Sequence, residues 1–183
     1  MRPPFWTVPN RITFLRFVLL PIFLICLFYQ RYGWALVLLI AAAFTDALDG
    51  LLARRLNQKS DLGMFLDPLA DKFLLSGAFL VLAFKGVIGW WLTILVLARD
   101  VIILATGAVI VLVVGPRTFP PSLFGKLTTA LQILLILVVI TGATFPFTGL
   151  SETVRGLVYG VAVATVVSGV HYSVTIARRL HAP

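Results

Sequence analysis

The seven acidic residues of this 183-residue chain are unevenly placed. Asp46, Asp49, Asp61, Asp67 and Asp71 fall in one short stretch, and only Asp100 and Glu152 lie elsewhere. Asp46, Asp49 and Ala53 are spaced i, i+3, i+7, which puts them on one face of a helix. Asp67 and Asp71, spaced i, i+4, share a face of the next. With these two helices as antiparallel neighbours joined by a short polar loop, four carboxylates converge near one end of a hairpin. One Asp in a membrane helix costs roughly 3 kcal/mol on insertion scales, and mutual repulsion adds to that. Arg54, Arg55 and Lys72 are too few to neutralise the set. Divalent cations are the better remedy, because carboxylates are hard oxygen ligands suited to Mg2+ or Mn2+. Four of them can hold two ions about 4 Å apart, an arrangement used in phosphoryl chemistry. Small residues at Gly50, Ala53 and Gly63 would open a slot where a ligand approaches the backbone. The competing reading is an acidic patch that only binds ions or aids packing.

Helices must carry these groups, and the composition says in what solvent. Of the residues, 60% are hydrophobic and 12% charged, and the mean hydropathy is +1.05, far from an ordinary soluble domain. Six apolar segments run roughly over 12–29, 34–54, 64–84, 87–114, 122–146 and 153–176. Each approaches the ~20 residues a spanning helix needs, and backbone groups in hydrocarbon must pair within their own segment. Breaks stand at Tyr32-Gly33, Lys85-Gly86, Gly115-Pro116, Pro120-Pro121 and Phe145-Pro146. Trp34, Trp90 and Trp91 stand near expected ends, as interfacial aromatics do. The mixed stretch Val8 to Arg16 suggests a short helix lying in the interface. The expectation is an all-α integral membrane protein: one domain over residues 1–183, a bundle of six transmembrane helices and a short N-terminal interfacial helix. Cys26 is the single cysteine, which excludes an internal disulfide and points to packing. Arg11 and Arg16, with no small-residue cleavage site after the first apolar run, argue against a cleaved leader, and Met1 is taken as the start.

The net charge is +8. Nucleic acid is not the partner this implies, since the cations are spread between apolar runs; anionic membrane lipids are. Ten of the fifteen Lys and Arg residues (Arg2, Arg11, Arg16, Arg54, Arg55, Lys59, Arg117, Lys126, Arg178, Arg179) fall at one set of helix ends. Three, Arg31, Lys85 and Arg155, fall at the other, and Lys72 and Arg99 lie within segments. The bias places both termini, and with them the aspartate end, on the cytoplasmic side of the cell membrane.

Read as a pattern, Asp46, Asp49, Gly50, Ala53, Arg54, Gly63, Asp67 and Asp71 form Asp-x2-Asp-Gly-x2-Ala-Arg-x8-Gly-x3-Asp-x3-Asp. This resembles the signature of the CDP-alcohol phosphatidyltransferases at every fixed position. Pro9-Asn10 with Thr13 and Arg16, Gly125-Lys126 with Thr128, and Ser168-Gly169 with Tyr172 are similar to features of its phosphatidylglycerophosphate synthase and cardiolipin synthase branches, so the likeness covers essentially the whole chain. The resemblance implies a six-helix, usually dimeric fold with a cytoplasm-facing site. It implies CDP-diacylglycerol as phosphatidyl donor and a small alcohol or glycerophosphate as acceptor. Asp46, Asp49, Asp67 and Asp71 would hold two divalent ions, Asp71 would also be the general base, and Thr45, Gly50, Ala53, Arg54 and Gly63 would hold the cytidine diphosphate part.

The acceptor is less legible. A phosphorylated acceptor needs cations, and Lys126, Arg178, Arg117 and Arg99 are the candidates; anchoring in the cytoplasmic leaflet explains Arg178 and Arg179 equally well. Arg99-Asp100 lies inside an apolar segment, where charged pairs are often functional; a structural ion pair to another helix is the equal alternative. The cationic ends favour glycerol 3-phosphate. Arg-Asp, where the glycerophosphate branch more often has Arg-Glu, leans toward cardiolipin synthesis with phosphatidylglycerol as acceptor. His171 fits packing better than ligation, and Asn10, Thr13 and Gln132 could bond substrate or a neighbouring helix. From other classes, a transporter would place its acids near the midplane, and a non-catalytic scaffold would have no need of four aspartates.

Overall fold

The computed structural model describes residues 8–56, 61–114 and 123–180, and within them the side chains of 18–45, 72–106, 123–172 and 174. Those residues form six α-helices and no strand: α1 Val8–Phe28, α2 Tyr32–Leu56, α3 Asp61–Phe84, α4 Trp90–Val114, α5 Leu123–Thr144 and α6 Leu150–Leu180. Each expected apolar segment is met by one helix. The ends differ by a few residues because polar residues at helix termini remain helical after the hydrophobic signal has stopped. Residues 8–28 are one uninterrupted helix containing Pro21.

Among the described residues, Leu123–Thr144 and Leu150–Tyr172 are long and apolar enough to cross a membrane. Val18–Phe28, Tyr32–Thr45 and Lys72–Phe84 are shorter apolar helical stretches. The surface agrees. Trp34, Phe44, Val101, Leu123 and Val163 are exposed, Leu123 at 82%, which water would penalise and lipid does not. This is a helical membrane protein.

The chain divides into two compact units. The first comprises residues 1–85 with 140–146. In it α1 packs against both α2 and α3. The α1–α2 turn is very short: the Arg31 N–H donates to the Cys26 carbonyl at 2.8 Å and the Gln30 N–H to that of Leu27 at 3.1 Å, a Schellman closure. Its left-handed position, usually glycine, is Gln30 at φ 56°. Such a tight turn makes α1 and α2 antiparallel. A Cβ at Gly77 of α3 would stand 2.8 Å from a Leu24 methyl, and Lys85 Nζ lies 3.9 Å from the centre of the Phe28 ring. Positions 24 and 28 of α1 thus meet 77 and 85 in the same order, so α3 runs parallel to α1 and antiparallel to α2. Phe23, Leu27, Ala35, Ala42, Leu74, Leu75, Ala78, Phe79, Leu82 and Ala83 fill this core. At the α1–α2 turn an open groove of about 510 Å3 is lined by Arg31, Gly33, Trp34 and Thr144 among others.

The second unit comprises residues 86–139 with 147–183. Here α4 packs on α6. The Trp91 and Tyr159 rings are 6.3 Å apart and Arg99 reaches Ser168, offsets of 68 and 69 residues, so these helices are parallel. The Thr128 hydroxyl donates to the Ala164 carbonyl at 3.0 Å and the Phe124 ring lies 4.9 Å from that of His171, so α5 runs antiparallel to α6. Gly149, at φ 86°, turns the chain into α6, and Glu152 in its first turn complements the helix dipole.

Candidate metal and transfer site

The structure continues α2 as helix through Asp46, Asp49, Gly50, Ala53 and Arg54, and α3 as helix from Asp61 through Gly63, Asp67 and Asp71. Asp46 and Asp49 stand ten and seven residues before the end of α2, and Asp67 and Asp71 stand six and ten residues after the start of α3. At about 1.5 Å of rise per residue, each antiparallel helix carries one carboxylate position about 10 Å and one about 15 Å from the connected ends. Counted along their own helices, one aspartate of each pair stands at each of these two distances from the connected ends. Their side chains, with those of Gly50, Ala53, Arg54 and Gly63, lie outside the described residues.

Thr45, one residue before Asp46, is described. Its hydroxyl is shared between the carbonyls of Ala41 at 3.0 Å and Ala42 at 2.8 Å, so its proton is spent on its own helix while its lone pairs remain able to accept. Among the described residues no three of His, Cys, Asp or Glu gather into a metal-binding group. Asp100 is engaged with Arg99, and Cys26 is a lone half-buried thiol. The donor set that fits a hard divalent ion is the aspartate set, through the chemistry of its oxygens.

The candidate acceptor cations do not behave alike. Lys126 is exposed in the first turns of α5. It stands about 200° around that helix from Thr128, which is buried against α6. The helix carrying Arg178 continues to Leu180, but the side chains of Arg178 and Arg179 are outside the described residues, as is Arg117 altogether. Arg99 is inside the second unit, bonded to Asp100 and Ser168. Sequence reasoning singled out Arg99 and Ser168 separately and missed their pairing across 69 positions, for which no local signal exists. His171 packs by its ring, as expected. Gln132 is buried, with its Nε2 lacking a partner.

Two helices that each carry a pair of aspartates, in a chain whose described residues form six helices, invite comparison with known proteins. Residues 6–170 match the CDP-alcohol phosphatidyltransferase family. The chain belongs to that family. It is 33% identical over 184 residues to the Bacillus subtilis CDP-diacylglycerol--glycerol-3-phosphate 3-phosphatidyltransferase, covering 91% of this chain and 93% of that protein. It is 34% identical over 172 residues to a Mycobacterium tuberculosis protein named "Probable phosphatidylglycerophosphate synthase", with 89% and 78% covered. The human cardiolipin synthase (CMP-forming) is 32% identical over 162 residues, 78% of this chain and 52% of that protein. As a CDP-alcohol phosphatidyltransferase the protein is an enzyme of phospholipid biosynthesis. Its family uses CDP-diacylglycerol with an alcohol acceptor and is generally divalent-metal dependent.

Proposed function

We propose that this phosphatidyltransferase moves the phosphatidyl group of CDP-diacylglycerol to glycerol 3-phosphate, giving phosphatidylglycerol phosphate and CMP. The observation that carries the acceptor choice is the end-to-end likeness to the glycerol-3-phosphate enzyme, 91% of one chain against 93% of the other. A second reading, phosphatidylglycerol as acceptor and cardiolipin as product, is favoured by the likeness to cardiolipin synthase and by Asp at position 100.

In this reading Asp46, Asp49, Asp67 and Asp71 hold two divalent ions, Mg2+ or Mn2+. When bound, these supply positive charge against the donor pyrophosphate and the departing CMP. Thr45, Gly50, Ala53, Arg54 and Gly63 seat the cytidine diphosphate, the small side chains leaving room beside the backbone. Asp71 takes the proton from the acceptor hydroxyl as its oxygen attacks the β-phosphate. A new P–O bond forms to the acceptor, the bond to CMP breaks, and CMP leaves with the electron pair. Lys126, Arg178, Arg117 and Arg99 supply the cations for the acceptor phosphate. The acyl chains stay in lipid throughout.

The whole chain acts as a single membrane domain of six spans, its first residues lying in the interface, and pairs as a homodimer. Both termini and the aspartates face the cytoplasm, supported by the ten-to-three bias of Lys and Arg.

The test is a panel. Purified protein with CDP-diacylglycerol and Mg2+ or Mn2+ is offered glycerol 3-phosphate, phosphatidylglycerol, inositol phosphate or serine, and lipid products are identified by mass. Phosphatidylglycerol phosphate with stoichiometric CMP is expected. Cardiolipin selects the second reading, and no CMP release with any alcohol leaves a transporter or scaffold.

A further inference from the structure

The open groove of about 510 Å3 at the α1–α2 turn takes no part in the transfer chemistry. Arg31 stands at its turn end. Gly33, Trp34 and Val37 from the start of α2 form one wall, and Ala143 and Thr144 from the end of α5 form the other. All of them belong to the first unit. Gly33 and Val37, four residues apart, share a face of α2. Gly33 leaves that wall open: a Cβ there would meet only a Thr144 methyl, at 3.8 Å. From Tyr32 to Val37 the helix rises about 8 Å, so the groove runs from the turn down into the apolar part of α2.

Two features say what fills it. The first is its level in the membrane. Tyr29, Trp34, Phe84 and Phe145 are all exposed at this end of the unit, Trp34 at 68%, and such aromatics sit where hydrocarbon gives way to headgroups. The second is a one-sided charge. Arg31 is the one charged residue among those lining the groove, and it is exposed. The Thr144 hydroxyl is spent on the Ile140 carbonyl at 2.9 Å. Lys85, the other cation of this end, lies over the Phe28 ring. The acids of the first unit are remote. Asp46 stands fourteen residues into α2 and Asp71 thirteen before the end of α3, each about 20 Å along its helix. A guanidinium matches phosphate with two parallel bonds. A zwitterionic headgroup would bring its own ammonium beside Arg31, and a singly anionic one would not.

We propose that this groove binds one anionic phospholipid from the leaflet on the α1–α2 turn side, its phosphate on Arg31 and the start of one acyl chain along Gly33 and Val37. The site stands apart from the aspartates and holds for either acceptor. Purified protein in detergent is titrated with dioleoyl phosphatidylglycerol or dioleoyl phosphatidylcholine. Bound lipid per chain is counted by native mass spectrometry, and thermal unfolding and CMP release check each variant. Arg31 is exposed and a side chain at Gly33 has room, so Arg31→Ala and Gly33→Leu are expected to fold and to release CMP as the wild type does. The wild type is expected to bind phosphatidylglycerol about tenfold more tightly than phosphatidylcholine and to unfold at a higher temperature with it. Arg31→Ala is expected to lose that preference, Arg31→Lys to keep part of it, and Gly33→Leu to lose the bound lipid by filling its place. Lys85→Ala, which removes a cation of the same end that does not line the groove, should change nothing. Phosphatidylglycerol is the acceptor in the second reading of the function, so the groove variants are the measure, since neither position reaches the aspartates. Equal binding of both lipids by the wild type would overturn the proposal, as would phosphatidylglycerol binding that Arg31→Ala and Gly33→Leu leave unchanged; either leaves ordinary boundary lipid. Displacement of the lipid by inorganic phosphate would overturn it in favour of a headgroup-only anion site. A Gly33→Leu protein that loses its oligomeric state and keeps its lipid would overturn it too, and would give the groove to a second copy of the chain. Should Arg31→Ala fail to fold, Arg31→Gln, which keeps the length and loses the charge, carries the same expectation.

Discussion

The two units place polar chemistry in a hydrophobic chain by opposite means. In the first, every described buried side chain is apolar, from Phe23 and Leu27 to Phe79 and Leu82. Its acidic residues, Asp46, Asp49, Asp61, Asp67 and Asp71, all fall on α2 and α3. In the second, six buried side chains are polar or charged: Thr93, Asp100, Thr128, Gln132, Thr165 and Ser168. There each group is largely met from within: the Thr128 and Thr165 hydroxyls donate to backbone carbonyls, and Arg99 has its own carboxylate. The difference teaches where function resides. In the proposed function, the like charges of the first unit, with too few counter-charges beside them, call for divalent ions. The neutral Arg99–Asp100 pair, with one unmet N–H at Arg99 Nε, asks for much less, a single oxygen.

The comparison breaks hardest at Asp71. Asp71→Asn is expected to cut CMP release by about a thousandfold or more while CDP-diacylglycerol binding stays close to wild type; near-normal turnover would remove the base from this residue. Stripping divalent ions with EDTA is expected to abolish turnover in the wild type and lower its unfolding temperature. The same treatment should leave the unfolding temperature of a variant with all four aspartates replaced by asparagine unmoved. A drop in that variant would put the stabilising ions elsewhere. In the second unit, Asp100→Asn leaves the Arg99 charge buried without its partner and should cost about 3 kcal/mol of stability, read by thermal unfolding in detergent. Thr128→Val removes the hydroxyl that reaches Ala164 and should cost about 1 kcal/mol, a small loss that marks this bond as packing. Smallest is a gain: Gln30→Gly relieves a left-handed residue and should add roughly 0.5–1 kcal/mol.

Much of this was legible in the order of residues. Apolar runs of spanning length, broken by Gly and Pro, fixed six helices, because in hydrocarbon a backbone has few other ways to pair its polar groups. The spacing of the aspartates is likewise a local property: i, i+3 and i, i+4 pairs, and the structure continues α2 and α3 as helix through those positions. Tyr32-Gly33 marks the neighbourhood of the α1–α2 turn, but glutamine carries no signal for the left-handed residue that closes it.

The amino-acid order alone therefore determined the helices, the lipid solvent and the family, all of which depend on neighbours within a few turns. Only the tertiary structure decided that Arg99 meets Ser168, that Thr128 meets Ala164, and that Lys126 stands apart from them. Those relations join residues 36 to 69 positions apart. Helices free to rotate and slide in lipid offer many pairings for each polar side chain, and packing chooses among them.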